Sequence, residues 1–144
     1  MKYYLNVLKN YATFSGRARR SEYWYFALFN VIFAVAAMIL DKALGTNFTV
    51  ETAAGPINLF YGYVYVLYLL FIFLPSLAVL VRRLHDVGKS GWFVLISLIP
   101  LVGSIWILVL LCTDSIPGQN QYGLNPKGIG NYDEIDQVGD DMIK

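Results

Sequence analysis

Hydrophobic and polar positions in this chain are sorted into blocks rather than alternating. Three apolar runs stand out: Tyr23–Leu40 with 18 residues and no charge, Leu59–Val81 with 23, and Trp92–Cys112 with 21. A hydrocarbon core of ~30 Å takes about 20 helical residues, so each run is long enough to span it. None shows the 3.6-residue alternation of a helix with one face in water. The pattern predicts an all-α membrane protein with three transmembrane helices. Ahead of the first run, Met1, Tyr4, Leu5, Leu8, Tyr11 and Ala12 fall on one helical face, and Lys2, Asn6, Lys9 and Asn10 fall largely elsewhere. That predicts a short N-terminal interfacial helix, or a short helix packed on the bundle ends. Between the first two runs, Gly45, Gly55 and Pro56 signal turns. Residues 128–144 are polar and acidic, with Asp133, Glu134, Asp136, Asp140 and Asp141, and read as a mobile solvated tail.

Composition sharpens the class. Of 144 residues, 57% are hydrophobic and only 15% charged, and mean hydropathy is +0.52; ordinary soluble domains carry roughly 25% charged residues. A conventional soluble enzyme and a disordered chain are both disfavoured. Three buried core helices of a soluble protein would leave too little polar surface to cover them. The first run follows a 22-residue leader with no A-x-A site at its end, so it reads as a retained span rather than a cleaved signal. One cysteine, Cys112, excludes an intrachain disulfide, and one histidine, His85, excludes a site of several His ligands. No metal, no cofactor and no nucleic-acid partner is expected.

Charge placement carries orientation. Lys2, Lys9, Arg17, Arg19 and Arg20 precede the first run, and Arg82, Arg83 and Lys89 lie between the second and third. This predicts a cytoplasmic N-terminus and Arg82–Gly91 loop, with the Asp41–Asn58 loop and the tail from Thr113 outside. A re-entrant third run, turning back at Pro100 and Gly103, would instead put the tail in the cytoplasm. Tyr23, Trp24, Tyr25 and Trp92 at the inner ends, with Tyr61 and Tyr63 at the outer end of the second run, suit the headgroup level.

Two polar segments hold the candidate chemistry. In Arg82–Trp92, RRLHDVGKSGW, the Gly88-Lys89-Ser90 triplet lacks the earlier glycine of a phosphate loop, because that position is Arg83. His85 and Asp86 are adjacent, and no nucleophile in a recognisable context accompanies them. They read instead as organisers of the loop, with Ser90 able to N-cap the third run. In Phe14–Trp24, FSGRARRSEYW, Ser15 or Ser21 can cap the first span, and Arg19 and Glu22 are spaced to pair on one helix face. Arg17, Arg19, Arg20, Arg82, Arg83 and Lys89 against Glu22 and Asp86 leave a basic inner face. An anionic leaflet attracts each such group by ~1 kcal/mol, so acidic lipid headgroups or a docking partner are expected there. The same arginines also serve simply to set orientation.

Inside the spans polar residues are few. At a rise of ~1.5 Å per residue, Asn30, Ser76 and Ser97 lie about 8–10 Å from the inner ends, near Pro75 and Pro100. Each proline frees a carbonyl, at Phe71 and Ile96, that lipid cannot satisfy. These groups are expected to converge in the inner half of the bundle, unless each serine bonds back to its own helix. No charge lies within a run, which argues against an ion pathway.

The blocks LKNYATFSGRARRSEYWYF, RRLHDVGKSGW and PGQNQYGLNP, in this order with apolar runs between them, resemble the domain of unknown function 805 family of bacterial inner membrane proteins. The likeness covers about residues 2–127; Leu124 stands where family members often carry proline. The resemblance implies a small multi-pass protein of the bacterial plasma membrane and supplies no biochemical activity. The expectation is a non-enzymatic membrane protein that binds anionic lipids or docks a partner through its basic face. The alternatives are an oligomeric small transporter or transport accessory, and a lipid-acting enzyme using His85 and Asp86.

Overall fold

The computed structural model describes residues 2–131. A short helix, α1 (Lys2–Lys9), leads into two long helices, α2 (Arg20–Leu44) and α3 (Tyr63–Asp86). Between them lies a two-stranded antiparallel hairpin, β1 (Asn47–Thr52) and β2 (Gly55–Gly62). A 3-10 helix (Gly91–Leu98) and α4 (Val102–Cys112) follow. Among the described residues, only α2 and α3 are helices long and apolar enough to cross a bilayer.

The third span is therefore corrected. The 21-residue run is a hairpin of two short limbs. Ser90 opens the 3-10 limb by accepting from the Trp92 N–H at 3.4 Å, as its capping role required. Pro100 then interrupts the helix, and Leu101 adopts φ 63°, ψ −63°, with the Val102 N–H on the Pro100 carbonyl at 2.7 Å. That is a γ-turn, tight and strained for a residue with a side chain. The limbs then press together at Gly103, where a Cβ would stand 1.7 Å from the Ile96 carbonyl oxygen. Eleven α-helical residues rise only about 16 Å, half of a hydrocarbon core. The length rule favoured a full crossing, and the structure has the re-entrant alternative instead, folded back at Pro100 and Gly103.

Residues 113–131 consequently return to the end of the bundle that carries α1 and residues 16–20. The expected separation of N-terminal segment and tail across the bundle is not what the fold has. Residues 128–131, assigned from sequence to a mobile tail, are hooked down: Gly118 N–H donates to the Ile129 carbonyl at 2.8 Å, and Asn131 exchanges hydrogen bonds with Asn125. The acidic stretch from Asp133 lies outside the described residues.

The opposite end is built around Asp41. Helix α2 ends at Gly45, which takes the left-handed φ of 67° and donates to the Asp41 carbonyl. The Asp41 carboxylate, fully buried, reaches across to the start of α3. It accepts from the N–H groups of Gly62 at 3.0 Å, Val64 at 3.0 Å and Tyr65 at 2.9 Å, and from the Thr46 hydroxyl at 2.6 Å. A helix N-terminus has orphan donors, and here a neighbouring helix satisfies them. The intervening hairpin pairs Thr49 with Asn58 and Val50 with Ile57. Its second strand absorbs Leu59–Gly62, which hydropathy had assigned to the second span. α2 itself has no side-chain cap: Arg19 occupies the cap position and Ser21 is already helical, so neither Ser15 nor Ser21 plays that role.

At the basic end, α1 packs onto the bundle. Tyr4 and Val7 are buried with Ala18, Phe26, Ile72 and Val79, and the Tyr4 ring sits 5.5 Å from Phe26 and 5.6 Å from Phe29. Leu5 stays half-exposed, so the buried face is rotated from the expected one. Most of α2, α3 and the third run presents apolar side chains outward, including Leu28, Val31, Leu70, Phe73, Leu98 and Leu101. A surface that apolar is suited to lipid and not to water.

Asp41→Ala removes the acceptor of three amides at once. Hydrogen exchange of Gly62, Val64 and Tyr65 is expected to quicken at least roughly tenfold, with the basic end unaffected. Unaltered exchange at those amides would remove Asp41 as the cap.

Candidate functional site

The polar residues singled out from sequence meet at the basic end, but as a buried ionic knot rather than an open cationic face. α3 ends with Arg82, Arg83, Leu84, His85 and Asp86, all buried. Gly88, at φ 71°, closes the helix, and Lys89 N–H donates to the Leu84 carbonyl at 2.9 Å. Residues 16–18 run beside this terminus, with Ala18 N–H on the Arg82 carbonyl at 3.1 Å.

Asp86 is the hub. One carboxylate oxygen accepts from Arg17 Nε at 2.9 Å; the other accepts from Arg83 Nη1 and from the Ser115 hydroxyl at 2.6 Å. The Arg17 and Arg83 side chains are 1% and 0% exposed, so these charges are out of water. The remaining donors of Arg17 reach backbone carbonyls of Ile116 at 2.6 Å, Gly118 at 2.7 Å and Gly123 at 3.3 Å. Arg83 donates to the carbonyls of Leu111 and Thr113. Arg19, expected to pair with Glu22, instead donates to the Pro126 carbonyl. In this way three arginines from two segments of the chain are stitched to residues 111–126.

His85 is stacked flat on Tyr122, with ring centroids 3.7 Å apart and planes 2° off parallel. Its Nδ1 lies 3.2 Å from the Gly16 carbonyl oxygen, and its own carbonyl accepts from Asn120 Nδ2 at 2.9 Å. Asn125, also buried, donates to the Ile116 carbonyl and accepts from the Lys127 N–H, turning the chain locally. Asp114 and Lys127 form an outer ion pair, and the hydrogen bond from Lys127 holds the Asp114 carboxyl below its ordinary range.

Glu22 pairs with Arg82 Nη1 at 3.1 Å and accepts from Asn6 Nδ2 at 3.2 Å. Arg82 Nε and Nη2 are buried and have no partner among the described residues. Arg82 also borders a cavity of about 590 Å³, lined by Lys2, Lys9, Asn6, Arg19 and Glu22 among others. Arg20 and Lys89 are exposed. Of the six predicted surface cations, Arg17, Arg82 and Arg83 are thus turned inward. His85 and Asp86 contact residues 16–17 and 115–122, and Glu22 contacts Arg82 and Asn6.

The intramembrane polar groups converge only in part. Asn30 and Ser76 line one groove between α2 and α3, and Asn30 Oδ1 accepts from the Tyr68 hydroxyl at 3.0 Å. Ser76 bonds back to the Ile72 carbonyl at 2.7 Å, and Ser97 to Val94, away from the groove. The carbonyl freed by Pro75, that of Phe71, receives the Tyr11 hydroxyl. The one freed by Pro100, that of Ile96, accepts from the Ile99 N–H at 3.0 Å. Sequence reasoning missed Ser115, Asn120, Tyr122, Asn125 and Pro126. Their signal was the neutral, Asn- and Gly-rich stretch Pro117–Lys127, distinct from the acidic residues after it.

Two long apolar helices, a broken third run and a buried ionic cap define a small helical membrane protein. Residues 11–124 match the family described as "Protein of unknown function (DUF805)", and the chain belongs to that family. It is 45% identical over 127 residues to "Inner membrane protein YhaH" of Escherichia coli strain K12, covering 88% of this chain and 98% of that one. It is 42% identical over 127 residues to "Inner membrane protein YhaI" of the same strain, covering 88% and 97%. No solved structure matches.

Breaking a buried ion pair from one side strands the other charge and costs about 3–5 kcal/mol. Asp86→Asn is expected to lower stability by that order and to lower the melting temperature in detergent sharply. Arg17→Gln should do the same, and the two losses should not add, because both dissolve one knot. Lys127→Ala, at the exposed pair, should leave the melting temperature where it was.

Proposed function

We propose that this chain is a non-catalytic protein of the bacterial inner membrane whose cytoplasmic cap gathers anionic lipid headgroups. The supporting observation is the sorting of charge between the two ends. The end formed by residues 2–22, 82–91 and 113–131 carries nine cationic side chains against Glu22, Asp86 and Asp114. The hairpin end has Lys42 against Asp41 and Glu51. The positive-inside rule places the first end in the cytoplasm, so both α1 and residues 113–131 are cytoplasmic and the β-hairpin is periplasmic. The names of the two E. coli relatives agree with that membrane.

Within the cap, Lys2, Lys9, Arg20 and Lys89 are exposed and make no ion pair among the described residues. They are the groups free to face phosphate headgroups at the surface, in place of Arg17 and Arg83, which are taken up by Asp86. The catalytic alternative needs a base and a nucleophile free to react. Here Asp86 is filled by two guanidinium groups and a hydroxyl, and His85 is clamped under Tyr122.

In nanodiscs mixing phosphatidylglycerol and phosphatidylcholine, phosphatidylglycerol should be enriched around the protein. Arg20→Gln plus Lys89→Gln should reduce that enrichment, as should 0.5 M salt, where the Debye length falls to about 4 Å. Lipid composition equal to the bulk in the wild type would sink the reading. For topology, a cysteine at Gln121, in a Cys112→Ser background, should resist membrane-impermeant maleimide in intact spheroplasts and react in inverted vesicles. The opposite pattern would place the cap in the periplasm.

A further inference from the structure

The cap contains a pocket whose electrostatics are unfinished. It lies between α1, the segment Arg17–Glu22 and the last turn of α3, with a volume of about 590 Å³. Asn6 and Asn10 border it from α1, and Pro126 closes one side. Its cations are Lys2, Lys9, Arg19 and Arg82, with Arg17 already bound to Asp86; its one carboxylate is Glu22. Arg82 is the informative member. It is 5% exposed, one of its nitrogens is held by Glu22, and Nε and Nη2 have no acceptor among the described residues. Native structures rarely leave buried guanidinium donors unanswered, since each stranded donor costs about 1–3 kcal/mol or more. The neighbouring arginines show the contrast: beyond Asp86, Arg17 and Arg83 each donate to backbone carbonyls of residues 111–118. Around Arg82 the chain supplies Glu22 and then a cavity.

We infer that this cavity is an anion site that takes one phosphate group, with Arg82 as its innermost donor and Lys2, Lys9 and Arg19 around it. Three features select phosphate. A guanidinium with two vacant donors matches two oxygens of one tetrahedral anion. The surplus of cations over Glu22 calls for more than a neutral acceptor. Asn6 and Asn10 add amide donors suited to the oxygens of an ester. Tyr3 lines the cavity and also stacks on Tyr25, exposed on the flank of α2, with ring centroids 5.6 Å apart. A phosphodiester headgroup seated here would have its glycerol end directed along that apolar flank. The phosphate belongs either to such a lipid or to a soluble ester; both present the same group to Arg82. The inference rests on the proposed reading only for the presence of anionic lipid at this end of the molecule.

The test uses the full chain in phosphatidylcholine nanodiscs. Inorganic phosphate and glycerol 3-phosphate are titrated while the melting temperature is followed. In parallel, native mass spectrometry counts phosphatidylglycerol retained after mixed nanodiscs are stripped. Saturable stabilisation by a soluble phosphate assigns the site to free esters. Retention of one phosphatidylglycerol, without a response to soluble phosphate, assigns it to the lipid; either result supports the site. Arg82→Gln also breaks the pair with Glu22, so the deciding variants keep the knot intact. Lys2→Gln plus Lys9→Gln should weaken binding at least tenfold. Arg20→Gln plus Lys89→Gln removes equal charge outside the cavity; it lowers bulk enrichment but should change occupancy of this one site less than twofold. Equal losses from the two pairs would overturn the cavity while leaving general attraction of anionic lipid standing. Binding of neither soluble phosphate nor a retained lipid would overturn it too, and only loss of bulk phosphatidylglycerol enrichment would remove the broader reading as well.

Discussion

The cap depends on a single carboxylate placed between two guanidinium groups away from water. Asp86 sits at the last residue of α3 and holds Arg83 from its own helix and Arg17 from 69 residues earlier in the chain. A buried charge is tolerable only when paired and fully hydrogen-bonded. That requirement explains the path of residues 111–126, whose carbonyls and Ser115 hydroxyl supply what Asp86 and the arginines still lack. The tail segment is ordered by the charges rather than by a hydrophobic core: Ile116, Leu124 and Ile129 are all exposed. His85 stacking on Tyr122 adds the one broad apolar contact between α3 and that segment.

Much of the architecture was legible because hydropathy over long windows is a direct physical signal. α2 and α3 follow from Tyr23–Leu40 and Leu59–Val81 with ends displaced by a few residues, and α1 from its aromatic positions. The third run was legible only as two alternatives, a full span or a fold-back at Pro100 and Gly103, because its side chains are uniformly apolar and length alone favoured the span. The β-hairpin was hidden by its short, largely exposed strands: the alternation in NFTVET rests on Phe48 and Val50 alone, and the second strand merges with the apolar run that follows. Residue types at the site were legible; their partners were not. Arg19 and Glu22 are well spaced for each other, yet Glu22 finds Arg82 and Arg19 finds Pro126, both across the fold. Local spacing states which pairs are possible, and tertiary packing selects among them.

The two ends of the bundle solve related problems differently. At the hairpin end, Asp41 neutralises the positive N-terminal pole of α3 with a carboxylate from α2. At the basic end, Arg83 and the loop after Asp86 accompany the negative C-terminal pole of the same helix. Both α3 termini are therefore bound to chain that is remote in sequence. The interior of the helix is left to apolar contacts, with Asn30 and Tyr68 as a single polar bridge to α2.

The knot also constrains when this molecule can be finished. Arg17 emerges early in synthesis, and the carbonyls it binds, at Ile116, Gly118 and Gly123, emerge almost last. Until then α2 and α3 can be inserted, but Arg17 and the terminus of α3 have only water and headgroups for company. Sealing the cap is thus a post-insertion event, and a nascent chain stalled before residue 116 would carry its guanidinium groups open to whatever anion lies nearest.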